Sequence, residues 1–445
     1  FPLSTGVFTP VERYPNQMKK VAIDIGPLRK YRDFRYLWSS GLISNLGSMI
    51  TYVAIPFQVK ELTNSYLAVG ISGLVELIPL IIFGLYGGVL ADSVDRKKMI
   101  WFTEAAAAVL SLILLLNALS PEPKLYLIYI VGAAFAAVNG LHGPSADAIL
   151  PRVVSHDDLL SAGALMSLRR QCGIIVGPTI GGILIASSGV SLAFAVDIGS
   201  YIISLALLIR VKKVPPSHEA EKPSLAALWE GVAYARSRQD LKGTYIIDLA
   251  AMFLAMPIAL FPFWVDQVNA PWALGLFYSA GTVGALVVTL TSGWTKTYRF
   301  HGRAFMWAAA GWGASIALAG ATDYLYLVLF FLAAAGASDM VSVLFRGAIW
   351  NQTIPDHLRG RLAGIELLSY TIGPLVGQLR AASMASATTL TISVTSGGIS
   401  CVIFVGILAI FFPKLRKYDA ETNEYAVAER KRRAERENSP ENTNP

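Results

Sequence analysis

Several ionisable side chains fall where the chain is otherwise apolar: Glu76, Arg169, Asp197, Asp248, Asp339 and Arg346. A charge at the middle of a bilayer costs roughly 2.5–3.5 kcal/mol on insertion scales, so such a group faces a bundle interior or water unless it sits near an end. Glu76 is the deepest. Its helical face carries Gly73, Leu80, Phe83, Gly84 and Gly87, a mostly small-sided strip that lets a second helix come close. A carboxylate there can exchange a proton, or it can accept a structural hydrogen bond from a neighbouring helix. Asp197 shares a face with Ser200, Tyr201 and Ser204, and Asp248 lies about two turns inside its own apolar run. Glu76, Asp197 and Asp248 are therefore the proton-coupling candidates, although each of the aspartates could equally cap or pair locally. Asp339 and Arg346 share a face with Ser342, and Arg346 is close enough to one end to snorkel. Together with Tyr52 and Tyr201 they are the candidates for lining a cavity. Arg169 and Arg170 sit more than two turns into a later run, and one of them, Arg169 by preference, is a candidate to pair with Asp147 at the foot of the preceding run.

Other chemistries have no residues to carry them. No Gly-x-x-x-x-Gly-Lys-Ser/Thr loop occurs, the five histidines are scattered, and no Ser-His-Asp spacing is suggested. Cys172 and Cys401 both lie in apolar segments and fit no metal or redox pattern. No enzyme, metal or cofactor is expected. Energy for any pumping must come from an ion gradient or from a partner.

The elements that hold these residues are long apolar runs. Of 445 residues, 54% are hydrophobic and 15% charged, with a mean hydropathy of +0.51; a soluble chain carries roughly 25% charge. Twelve runs of bilayer length are expected, at about 35–58, 66–91, 99–119, 125–150, 159–186, 190–211, 241–266, 271–295, 304–321, 324–350, 360–383 and 387–412. The fold class is an all-α membrane protein. The first run is too long for a cleaved signal and lacks a clear cleavage site, and the natural start is either missing or at Met18.

Charge sets the topology. Lys60 and Lys124 are the only Lys or Arg in the connectors after odd-numbered runs, with Arg380 just inside the end of the eleventh, whereas the other connectors and both ends are rich in them. The positive-inside rule then places both termini in the cytoplasm. The net charge of +7 reflects this pattern, and no nucleic acid is expected. The chain also repeats itself. Gly177-Pro178 with Gly181 and Gly182 in the fifth run returns as Gly373-Pro374 with Gly377 in the eleventh, each after a connector opened by Leu150-Pro151 or Ile354-Pro355. This supports two pseudo-symmetric six-helix bundles in parallel repeat. The expected divisions are an arm at 1–33, bundles at 34–211 and 241–412, a linker at 212–240 and a basic tail at 413–445. Leu225, Leu228, Trp229 and Val232 give the linker an amphipathic helix.

The stretch from Gly88 to Ile100 resembles the major facilitator superfamily, whose loop between spans two and three reads Gly-x-Leu-Ala-Asp-Arg-x-Gly-Arg-Lys. Gly88, Leu90, Ala91, Asp92, Arg96 and Lys97 match, while Ser93 replaces the usual Arg and Asp95 the usual Gly. The variant is similar to the branch of enterobactin-type siderophore exporters and drug-efflux carriers. The resemblance implies that Gly88, Asp92, Asp95, Arg96 and Lys97 form a gating loop, with Asp92 near the start of span eleven. The run Gly173-x-x-x-Gly177-Pro178-x-x-Gly181-Gly182 resembles the fifth-span packing motif of drug–proton antiporters. Those carriers have a fourth-span arginine, which 133–143 lacks. The implied function is proton-coupled export of small amphipathic molecules, siderophore or drug, by a monomer in the cytoplasmic membrane of a bacterium. The alternatives are an uptake carrier and a non-transporting receptor or scaffold on the same fold.

Overall fold

The computed structural model describes residues 24–212, 214 and 233–437. The first crossing helix, α1, is Arg32–Thr63; α2 is Tyr66–Ser93, α3 Arg96–Leu119 and α4 Leu125–Ala148. Leu159–Ile209 is one hydrogen-bonded run that holds two helices, α5 and α6, joined at Gly189. There φ is 77° and ψ −178°, a conformation that only glycine adopts without strain. In the second half, α7 is Gln239–Leu254 and continues, after a break, through Phe261–Gln267; α8 is Leu274–Leu290, α9 His301–Gly320, α10 Leu325–Thr353, α11 Asp356–Ala387 and α12 Leu390–Phe411.

Among the described residues nine helical stretches are long and apolar enough to cross a membrane. Leu159–Ile209 supplies two crossings to that tally, and α9 and α11 complete the twelve. Both are less apolar for a reason: α9 packs on α10 and α12, and α11 on α2, α7 and α12. A helix covered by protein needs less apolar surface than one facing lipid.

The two halves repeat each other contact by contact. Gly173, Gly177 and Gly181 of α5 lie against Asn45, Met49 and Ile50 of α1, and Gly373 and Gly377 of α11 lie against Met252, Phe253 and Met256 of α7. Gly140 of α4 meets the backbone of Phe83 and Gly84 on α2, as Gly336 of α10 meets Gly281 on α8. The third and sixth helices of each half also pair. In the second half the pair is glycine-based, with Gly313 of α9 against Gly398 and Cys401 of α12. Bilayer helices gain little from apolar burial against each other, so close backbone packing of small residues carries the association.

The halves meet along two seams. Gly182 of α5 crosses Gly275 of α8 so closely that a Cβ on Gly182 would stand 2.4 Å from the Gly275 nitrogen. Beside that crossing the Ser279 hydroxyl donates to the Ile175 carbonyl at 2.7 Å. On the second seam Gly70 and Gly73 of α2 lie against Leu375, Gln378 and Ala382 of α11. The Tyr66 and Phe263 rings are 4.4 Å apart, and Lys60 of α1 pairs with Asp266. All these contacts lie in the parts of the helices farther from the face that carries the termini.

On the terminal face the loop residues have local work. Asp95 caps α3, its carboxylate accepting from the Lys98 N–H at 3.2 Å. The Arg96 backbone N–H donates to the Val214 carbonyl at 3.2 Å. Lys97 reaches the carbonyls of Ile209 and Val211 at the end of α6, where a cation complements the helix dipole. The surroundings of Gly88 and the side chain of Asp92 fall outside what is described, as do the first 23 residues with Met18, the Leu225–Val232 amphipathic stretch and 438–445. The tail, read from sequence only as a charged segment, carries the helices Pro413–Arg416 and Glu424–Glu437. Arg238 of the linker end pairs with Asp240, donates to the Thr353 carbonyl at 2.8 Å and stacks on Tyr425 at 3.7 Å from the ring centroid. Arg299 pairs with Asp419, and Arg433 donates to the Asn351 carbonyl at 2.8 Å. Arg238, Arg299 and Arg433 thus fasten the tail to the second half.

Candidate functional site

Within the first half the helices enclose a cavity of about 490 Å³. Its wall takes Ser48 and Tyr52 from α1, Glu76 from α2, Glu104 from α3, His142 from α4, Arg169 and Arg170 from α5, and Tyr201 from α6. Glu76 stands opposite Gly132 of α4: a Cβ added there would lie 3.5 Å from the carboxylate oxygen. No hydrogen bond or ion pair joins the Glu76 side chain to any described residue. It is therefore a carboxylate in a bilayer-depth cavity whose charge is paired with none of the described residues.

The other acidic groups of this half are engaged. Glu104 accepts from the Ser44 hydroxyl at 3.0 Å and from Ser204. Asp197 is fully buried and accepts from Thr51 and Ser111, each at 2.6 Å. It lies in the wall between α1, α3 and α6 and does not line the cavity. Its sequence neighbour Tyr201 does, sharing a 2.8 Å hydrogen bond with Ser48. The polar stripe on α6 thus holds helices together and presents one residue to the cavity.

Glu104 is the group that sequence reasoning passed over. It sits two turns inside an apolar run, where a carboxylate is as conspicuous as Glu76. The signal was available; its serine partners on α1 and α6 were not. The expected pair of Arg169 with Asp147 rests on an Asp147 side chain outside the described residues. Arg169 itself lies over Gly41 of α1, with its guanidinium filling the space that a Cβ would take.

In the second half Asp248 of α7 and Arg346 of α10 form a buried ion pair, 4% and 2% exposed. Ser369 of α11 donates to the same aspartate at 3.0 Å. Arg346 therefore does not snorkel to an aqueous end. A guanidinium with a buried carboxylate beside it is held better than one stretched toward the interface. Asp339 lies two turns before Arg346 on α10 and lines a second cavity, of about 330 Å³, between the halves. Tyr52 and Tyr278 touch edge to face, with ring centroids 5.6 Å apart, between the first cavity and the second. Among the described residues no group of His, Cys, Asp and Glu could hold a metal ion.

A polar cavity at bilayer depth inside the first half, with a second cavity between the halves, suits translocation of a small molecule. Comparison with known proteins agrees. Residues 23–436 match the model of a family described as transmembrane secretion effector. The enterobactin exporter EntS of Shigella boydii is 26% identical over 397 residues, 89% of this chain and 95% of that protein. The Escherichia coli protein of the same name is 25% identical over the same lengths. The fold matches that of the nucleoside transporter NupG with a TM-score of 0.68, at 12% identity, over 87% of this chain and 99% of that one. A bacterial homologue of the iron transporter ferroportin in an inward-facing state matches with a TM-score of 0.64, at 16% identity, over 86% of this chain and 98% of that one. The chain belongs to the transmembrane secretion effector family, and is a secondary transporter of the major facilitator fold.

Proposed function

We propose that the protein is a proton-coupled exporter of small amphipathic molecules, a siderophore or a drug, working as a monomer in the cytoplasmic membrane with both termini in the cytoplasm. Orientation rests on the Lys and Arg bias of the connectors on the terminal face. Export rests on the relatives, which carry the name of an enterobactin exporter. In this orientation the seams between the halves lie toward the outer face. Transport then alternates between 34–211 and 241–412 rocking about those seams. Gly88, Asp92 and Arg96 serve the gate on the cytoplasmic side.

The observation that carries proton coupling is Glu76. Glu104 and Asp197 are each held by two or more hydroxyl donors, and Asp248 by Arg346. Glu76 alone of these four has no such partner among the described residues and faces open cavity. Taking up a proton there changes the charge of the first half without breaking a structural bond. One charge moved across 100 mV is worth about 2.3 kcal/mol, roughly a fortyfold gradient. The test is efflux from proteoliposomes under an imposed pH gradient. The unaltered protein should expel a fluorescent substrate faster as the gradient rises. Glu76→Gln should retain binding and lose that dependence. A dependence that survives the substitution would assign the proton elsewhere, and flux only in the inward direction would make the protein an uptake carrier.

A further inference from the structure

On the outside of the first half, a groove of about 600 Å³ lies where the end of α2, the start of α3 and the end of α6 come together. Val94, the residue that ends α2, lines it with Met99, Trp101 and Phe102 of α3 and Ile209 of α6. Phe102 and Ile209 are each 67% exposed and Trp101 41%. All three stand on helices that cross the bilayer, so the exposed walls of the groove face lipid. Lys97 and Lys98, in the first turn of α3, are its only charged lining. The two lysines differ. The Lys97 ammonium donates to the carbonyls of Ile209 and Val211 at the end of α6. The Lys98 ammonium is exposed and has no hydrogen bond or ion pair among the described residues. The Asp95 carboxylate accepts from the backbone N–H of Lys98, not from its ammonium.

Past the groove wall the chain of α6 runs on into two more exposed cations, Arg210 and Lys212. Arg210 lies over the Tyr36 ring, 5.6 Å from its centroid, and Arg32 and Arg35 of α1 lie over the same ring at 5.6 and 5.9 Å. None of these three guanidinium groups has a carboxylate partner among the described residues. Topology asks for cations on this face. It does not ask three of them to gather on one ring, or an apolar groove of this size to adjoin them. Lys98 and Phe102 are one helical turn apart, about 6 Å along α3. A single molecule can therefore set an anionic group on Lys98 and lay a hydrocarbon chain past Trp101 and Phe102. A soluble anion would answer the cations and leave the groove unfilled. A zwitterionic lipid would fill the groove and bring a cation of its own beside Lys98.

We propose that this groove is a binding site for an anionic phospholipid, its phosphate on Lys98 and its acyl chain along Trp101, Phe102 and Ile209, with Arg210 and Lys212 adding to the local positive potential. The site depends on the crossing helices and not on what is transported. The full chain is reconstituted in phosphatidylcholine bilayers that contain rising fractions of a lipid with brominated acyl chains, since bromine quenches tryptophan on contact. The brominated lipid is phosphatidylglycerol in one series and phosphatidylcholine in the other. The difference in emission between the unaltered chain and Trp101→Phe isolates Trp101 from the other tryptophans. Quenching of Trp101 should reach half its maximum at a fraction of brominated phosphatidylglycerol at least tenfold below that of brominated phosphatidylcholine. One cation near a membrane surface is worth about fivefold, so Lys98→Gln should remove about fivefold of that preference and Lys98→Arg should keep it. Lys414→Gln, at an exposed cation on the same face of the second half, should leave it unchanged. Equal quenching by the two lipids in the unaltered chain would overturn the proposal, as would an undiminished preference in Lys98→Gln. An equal loss in Lys414→Gln would assign the preference to the whole basic face and would also overturn it. Excess glycerol 3-phosphate should leave the quenching intact; abolition by that soluble headgroup would mean that the cations hold a free phosphate and that the groove takes no chain with it.

Discussion

At the scale of single residues, this protein separates carboxylates that hold helices from carboxylates that stay available. Asp197 and Glu104 tie α1, α3 and α6 through hydroxyl donors, and Asp248 ties α7 to α10 and α11. Removing one partner of the Asp248–Arg346 pair leaves the other charge buried alone. Arg346→Met should therefore destabilise the second half by about 3–5 kcal/mol, whereas Arg346→Met with Asp248→Asn should recover most of that loss. Unfolding midpoints of the two variants in mixed micelles measure the difference. If the single and double variants are equally unstable, the pair is not what holds those helices. Spacing could place every one of these residues at bilayer depth. It could not say which were satisfied, because the satisfying serines and threonines come from helices distant in sequence.

At the scale of elements, glycine decides where helices turn and cross. Gly189 joins α5 to α6 with a positive φ, and a Cβ there meets no neighbour, so any cost is in the backbone alone. Gly189→Ala should cost of the order of 1–3 kcal/mol, read as a lowered unfolding midpoint with transport retained. Gly182 is the opposite case: the backbone tolerates a side chain there, and the Gly275 backbone does not. Gly182→Val should force α5 and α8 apart. Spin labels at Ser187 and Trp272, both exposed, should then report a longer distance, with the fold of each half intact. An unchanged distance would mean that the seam is not set by this crossing. The Gly-Pro repeat was legible in the chain and identified the matching elements. Which glycines face the partner helix within a half, and which face the other half, depended on rotation of each helix about its axis, and no local pattern specifies that.

At the scale of the whole molecule, ionic contacts between the halves and at the tail are modest in energy. Lys60 and Asp266 bridge the halves with Asp266 half exposed. Such a pair contributes about 0–1 kcal/mol. Asp266→Asn should shift the balance of conformations by no more than about fivefold, as judged from spin-label distance populations. On the terminal face, the Arg299 guanidinium beside Asp419 holds its carboxyl below the usual carboxylate range. A group lowered in this way adds stability that is complete above its ordinary value of about 4 and is lost as pH falls through the lowered one. Docking of the tail should thus be indifferent to pH above about 5 and loosen below about 4. Amide hydrogen exchange over 418–430, at acid and neutral pH, checks this. The docked tail itself was not visible in the sequence, since Arg238, Tyr425, Arg299 and Asp419 meet only after the chain has folded across the second half.

What the chain alone determined was everything that depends on the solvent it must enter. Twelve apolar runs, their order, their pairing into two halves and the family likeness follow from hydropathy, charge and local motifs, because a bilayer imposes the same length and polarity on every crossing segment. Only the tertiary structure decided which buried charges are answered. Glu104 and Asp197 were met by hydroxyls from other helices and Asp248 by Arg346, while Glu76 and Asp339 were left facing cavities. The reason is geometric. Satisfaction of a buried group is a matter of a few tenths of an ångström between segments far apart in the chain, and one-dimensional order carries no such distance.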